Sequence, residues 1–150
     1  MALTVVRFFS LLFAALALVP ALAHLSELPH KIHMSANDYL VVQQIYRGWA
    51  LFGIVVIAAL LSTLILTLMT RHDPWQFRPS LTAFLAIAAT QVVFWTSTYP
   101  VNKATSNWTR LPSNWEALRQ QWEYSHATSS VLALIALIAV IVAVLQATKH

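Results

Sequence analysis

Three stretches of this chain, Trp49 to Met69, Leu81 to Tyr99 and Ala127 to Gln146, run apolar for about 20 residues without one charged side chain. At a rise of about 1.5 Å per residue, a helix of that length crosses the roughly 30 Å hydrocarbon core of a bilayer. In a soluble fold such runs would leave apolar surface with nothing to cover it. The composition points the same way, with 59% hydrophobic and 9% charged residues against roughly 25% charged in soluble domains. Cysteine is absent, which excludes a disulfide scaffold. Two glycines exclude glycine-rich phosphate loops and argue against a turn-rich β-barrel. The net charge of +4 is scattered rather than gathered in a stripe, so no nucleic-acid partner is expected.

A fourth apolar stretch, Leu3 to Leu25, is broken only by Arg7 and Ser10. It is long enough to be an uncleaved first span, and an even number of spans puts both termini on one side. The same residues also fit a signal peptide, with Arg7, an apolar run, Pro20 and a small-residue site ending at Ala23. Cleavage there would expose His24 as a free N-terminus, whose amine and imidazole bind copper. The expected architecture is therefore all-α: residues 1–150 form a single integral membrane domain, a four-transmembrane-helix bundle. Its spans are residues 3–25, 49–69, 81–99 and 127–146.

Basic residues near span ends set the orientation. With the N-terminus inside, Arg7, Arg71, Arg78 and Lys149 fall on short inner segments. Lys31, Arg47, Lys103, Arg110 and Arg119 fall on two longer outer loops that also hold four of the five acids. The expectation is a multi-pass protein of the cell membrane with both termini cytoplasmic. The inner loop, Arg71 to Pro79, is short and proline-bounded, with Trp75 at headgroup level. Ser35-Ala36-Asn37-Asp38 and Ser113-Asn114-Trp115-Glu116 both read as capping boxes. They open helices expected to run unbroken into spans two and four, extending them on the outer side.

The candidate chemistry lies where spans one and four meet that side. His24-Leu25-Ser26-Glu27 and Glu123-Tyr124-Ser125-His126 are two histidine–carboxylate pairs at spacing three, written in opposite order on antiparallel helices. That spacing puts both members of a pair on one helix face. Facing each other, His24, Glu27, Glu123 and His126 would offer imidazole and carboxylate ligands to a transition metal such as iron or copper. His24 and His126 could instead be axial ligands to haem b. The plainer reading is that such residues snorkel or pair to hold loops. Trp115, Arg119, Trp122 and His126 form a stripe at spacings of four, three and four, readable as a pocket wall or as an interfacial aromatic belt. Asn102, after Pro100, is a turn residue or a pocket donor. Tyr39, Gln43, Gln44, Tyr46 and Arg47 make a polar face entering span two. Gln91 in mid-span is expected to make an interhelical hydrogen bond. His30 and His33 flank Lys31 in what reads as a solvated loop, and His72 and His150 look incidental.

The run Tyr99-Pro100-Val101-Asn102, Trp108, Trp115-Glu116-Ala117-Leu118-Arg119, Trp122 and His126 resembles the anthrone oxygenase-like family of small four-span membrane proteins. Ala23 to Lys31 and Val42 to Trp49 are similar to a bacterial branch of it. The resemblance implies four spans and, by its fungal members, oxygenation of an anthrone to an anthraquinone. Asn102, Arg119, Trp122 and His126 match its motif positions. Where many members carry arginine three residues after the histidine, this chain has Ser129.

Three functions follow as expectations. The first is a membrane oxidoreductase, oxygenase-like, acting on an apolar aromatic or quinone-like substrate. His126, Arg119 and Asn102 would be its catalytic residues, with His24, His126 and Trp122 binding the cofactor. The second is a non-enzymatic accessory subunit of a larger membrane complex, or a homo-oligomer. The third is the copper-binding protein that begins at His24.

Overall fold

The computed structural model describes residues 1–146; Lys149 and His150, placed inside above, lie outside the described residues. The α-helices are α1 (Ala2–Lys31), α2 (Ala36–Gln43), α3 (Phe52–Met69), α4 (Pro74–Val93), α5 (Tyr99–Ala104) and α6 (Trp115–Gln146). A π-helical turn, Phe94–Thr98, joins α4 and α5 into one rod. No strand occurs among the described residues. Four helices, Ala2–Lys31, Trp49–Met69, Pro74–Ala104 and Trp115–Gln146, are long and apolar enough to cross a membrane. The expected all-α four-helix bundle is the fold.

Small residues hold the bundle together. α1 and α4 each pack against both α3 and α6. Ala14, Ala83, Ala139 and Val140 meet at one level, and Ala59, Ala86, Ile87 and Ala136 at another. Lipid tails are as apolar as leucine, so helices gain most by bringing backbones close, which small side chains permit. Large residues such as Leu12, Leu16, Ile54, Leu61 and Ile138 are left exposed on the outside. Several hydroxyls in the helices are satisfied within the bundle, as a bilayer favours. Thr63, Thr67 and Thr70 each donate to the carbonyl four residues earlier, and Ser130 of α6 donates to the Ala21 carbonyl of α1. At the uncapped end Arg7 donates to Gln76, whose amide donates to Asp73.

The other end carries a cap built from the connection after α1, from α2 and from the segment between α5 and α6. Its core is Tyr39, Val101, Trp108 and Trp122. Ser35 caps α2 by accepting from the Asp38 amide at 3.3 Å. α6 runs from Trp115 through the fourth span without a break, as its capping signal predicts.

The helix opened at Ser35 behaves differently. It ends at Gln43, passes through two 3₁₀ turns and breaks at Gly48, whose φ of +86° is a left-handed conformation. The expected unbroken extension of span two is thus a separate short helix folded across the bundle. The first span continues to Lys31, so His30 belongs to its last turn rather than to a loop. The loop between the second and third spans is also shorter than expected. α4 already starts at Pro74, because Asp73 caps it by accepting from the Trp75 amide and proline suits a first helical turn. Among the described residues the expected interhelical bond of Gln91 is not formed; its amide donates to neighbouring Thr90 at 3.3 Å.

The two glycines differ in a measurable way. Gly48→Ala forces a side chain into the left-handed region and lowers stability by about 1 kcal/mol. Gly53→Ala, in a helix with open space around it, raises stability by roughly 0.5 kcal/mol. Thermal unfolding in detergent reads both signs.

Candidate functional site

The two histidines of the expected cluster do meet. α1 brings His24 and α6 brings His126 into a stack with ring centroids 4.0 Å apart and planes at 29°. Trp122, one turn before His126, packs edge-on to both rings, at 4.2 Å from His126 and 5.1 Å from His24. Tyr46 and Trp49 close the other side of His24, at 4.5 and 5.4 Å. The Trp122 indole is fixed in turn, because its Nε1 donates to Asn102 Oδ1 at 2.8 Å. Asn102 is positioned by α5, which the π turn tilts over α6. Thr98 and Ser125 share a hydrogen bond of 2.8 Å, and Gln121 donates to the Ser97 carbonyl at 2.9 Å. A π turn leaves its carbonyls poorly matched, and α6 supplies the missing donor here.

The carboxylates turn away from the histidines, toward Lys31. This lysine is 1% exposed. Its Nζ lies 2.9 Å from Glu123 Oε1, 2.9 Å from the Tyr46 hydroxyl oxygen and 3.8 Å from Glu27 Oε2. The Tyr39 hydroxyl donates to the same Glu123 oxygen at 2.8 Å, and the Tyr46 hydroxyl donates to Glu27. The ammonium also sits over the faces of Tyr46 and Trp122, at 4.5 and 4.7 Å. Burial raises the Tyr39 hydroxyl far above its ordinary pKa, and the Glu123 charge adds to the effect. Burial does the same to Tyr46, helped by its hydrogen bond to Glu27.

Arg119 belongs to this scaffold too. It is buried, donates to the Met34 carbonyl at 2.6 Å and lies 4.6 Å over the Trp115 ring. It staples the connection after α1 onto α6. The proposed stripe therefore divides, with Trp115 and Arg119 inside the cap and Trp122 and His126 beside a cavity.

That cavity measures about 790 Å³. His24, His126, Trp122 and Asn102 line it, whereas Glu27, Glu123 and Arg119 do not. Aromatic residues from the other elements, including Trp49, Phe52, Phe94 and Trp108, share the remaining wall with small and aliphatic side chains such as Ala17, Val56 and Ile87. Ser129, at the position where the resembling family has arginine, also faces it. Apart from Arg47 no formally charged residue among the described ones contributes to the lining. Such a space suits a neutral, flat, apolar molecule with a few hydrogen-bonding atoms.

The arrangement is a poor fit for the metal and haem sets. Lys31 and tyrosine hydroxyls already hold one oxygen of each carboxylate, and no group of three or more His, Asp or Glu that could hold a metal occurs among the described residues. Haem between His24 and His126 would need two nitrogens on opposite sides of iron, each at roughly 2 Å. Stacked rings at 4.0 Å leave no room for a porphyrin. In the full-length chain His24 lies within α1, with Ala14 and Leu18 of the preceding turns in the core.

The signal for Lys31 was present in the spacing. His24, Glu27 and Lys31 follow each other at three and four residues, one helical stripe. The loop reading after Pro29 hid it. Compared with known proteins, the chain matches no family model, no curated protein and no solved structure.

The tyrosines give a pH signature. A hydroxyl whose pKa is raised by folding contributes stability that is complete below its unfolded value, about 10. That contribution falls as pH rises further, because only the unfolded chain ionises readily. Of four tyrosines, two should give no phenolate absorbance until the protein unfolds. Stability should decline above about pH 10. Tyr39→Phe and Tyr46→Phe should each remove part of that decline.

Proposed function

We propose that this protein is a membrane oxidoreductase of the oxygenase-like kind, taking an apolar aromatic or quinone-like substrate into the histidine-lined cavity. The observation that carries this reading is the stacked His24–His126 pair on the wall of an aromatic cavity of about 790 Å³ at the capped end of a membrane bundle. A cavity of that size accepts a ring system of two or three fused rings. Its aromatic side chains offer stacking, and a lining that is neutral apart from Arg47 favours an uncharged molecule.

In this reading His126 is the general base. It takes a proton from an acidic C–H beside a ring carbonyl, or from a phenol, and the resulting electron-rich anion reacts with dioxygen. For an anthrone the balance closes without another reductant. The ring CH₂ becomes a carbonyl, one oxygen atom enters the product and the other leaves as water with both hydrogens. His24, stacked on His126, shares the proton. Asn102 orients Trp122, which holds His126 in place, and Arg119 positions α6 through Met34. The cap side is read as the outer face, with both termini cytoplasmic, from the density of basic residues on the short connections. Two further readings remain distinguishable: an accessory subunit would bind no such ligand, and the His24-terminated copper protein would lack residues 1–23 by intact mass.

Dioxygen uptake with anthrone as probe tests the assignment in reconstituted vesicles. His126→Ala should cut the rate by about 10² to 10⁴, with the fold retained by circular dichroism. Asn102→Ala should act more mildly, by roughly tenfold, through a loosened Trp122. Unchanged uptake in His126→Ala would remove the base from this site. One or two equivalents of iron or copper per chain, lost in His126→Ala, would restore the metal-ligand reading instead.

A further inference from the structure

α3 and α4 touch through Ala59, Ala86 and Ile87 and then part. Beyond that level Gly53 and Ile57 of α3, and Gln91 and Trp95 of the opposite rod, line the cavity. Ile57 and Trp95 are at the same time 56% and 60% exposed. The cavity wall between them is therefore also the outer surface of the bundle. A side chain built at Gly53 would meet no neighbouring side chain within 4 Å of its first carbon, so the space beside this position is open. Both rods are apolar enough here to span a membrane, which puts the gap against lipid rather than water.

Two further observations bear on the route. At the capped end, where Arg47 and Asn107 also reach the cavity, Gln44 donates to the Trp108 carbonyl at 3.0 Å and ties the two sides of that seam together. In the lateral gap, Gln91 presents an amide whose one side-chain hydrogen bond among the described residues goes to its neighbour Thr90. A polar group in apolar surroundings is costly unless it finds a partner.

We infer that the cavity is filled sideways from the bilayer, through the gap between α3 and the Phe94–Thr98 turn. Its ligand is a lipid-dissolved molecule with a hydrogen-bonding oxygen that Gln91 receives on the way to the histidine pair. Gly53 keeps this entrance open. The inference rests on reading the cavity as a ligand site, but the route can be tested without turnover.

The chain has no cysteine, so a single thiol can be placed at will. Ser129→Cys sits on the cavity wall, and Leu61→Cys sits on the exposed face of α3 as a control. In vesicles, pyrenyl maleimide dissolved in the lipid should label both. Adding Gly53→Phe should slow labelling at residue 129 by about tenfold and leave residue 61 unchanged, which also reports an intact bundle. Ile57→Phe narrows the same gap and should act alike, whereas Ile57→Ala should speed labelling. A sulfonated, membrane-impermeant maleimide should react poorly at residue 129. Equal reaction with the sulfonated reagent, or indifference to all three gap variants, would overturn the lateral route. A normal labelling pattern without anthrone oxidation would leave the entrance standing and remove the proposed reaction.

Discussion

A lysine ammonium buried at the end of an apolar bundle is the constraint on which the rest of the capped end depends. Taking an ion from water costs several kcal/mol even after relaxation, and Lys31 is compensated only when its partners are all in place. Those partners come from separate pieces of chain. Glu27 is one turn back on α1, Glu123 lies on α6, and Tyr46 lies in the turn after α2. Tyr39 of α2 adds a second donor to the same Glu123 oxygen. Satisfying one charge therefore fixes α6 against α1 and draws the cap down onto both. Arg119 repeats the device with a backbone carbonyl on the α1 side.

The same knot decides what the histidines can do. Because Lys31 claims both carboxylates, His24 and His126 are left with aromatic neighbours and a cavity. Metal chemistry would want the carboxylates turned inward, whereas here they are held behind the Tyr46 and Trp122 rings. Apart from Arg47, what reaches the cavity is neutral. Its other polar atoms are imidazoles, indoles, amides and hydroxyls, which suit proton exchange with an uncharged ring system. The π turn in the third rod serves this arrangement. It carries Trp95 outward, Thr98 onto α6 and Asn102 over Trp122 within a few residues.

Much of this was legible in the residues, and the boundary has physical causes. Charge-free runs near 20 residues leave a helix few alternatives in a bilayer, so the spans could be read directly. The mirrored pairs at residues 24–27 and 123–126 located the meeting point of α1 and α6, and Asn102 and Trp122 turned out to be bonded partners. Side-chain orientation within a face was not legible, since spacing three allows a carboxylate to turn toward its histidine or away from it. Lys31 was missed because a proline two residues earlier reads as a helix end, although membrane helices tolerate proline and α1 contains both Pro20 and Pro29. The break at Gly48 escaped because the polar face before it has helical spacing on both sides. The cavity is a property of two rods diverging, which no local pattern records.

The account turns on Lys31 and Glu123 acting as one unit, and a double-mutant cycle measures that directly. Unfolding free energies would be compared for the parent, Lys31→Met, Glu123→Gln and the double variant in the same detergent. Each single change should destabilise by about 3 to 5 kcal/mol, because it strands a buried charge. The double variant should recover most of one loss, giving a coupling of about 2 to 3 kcal/mol. Simple additivity of the two losses would contradict the account, since it would mean that the capped end does not depend on this pair.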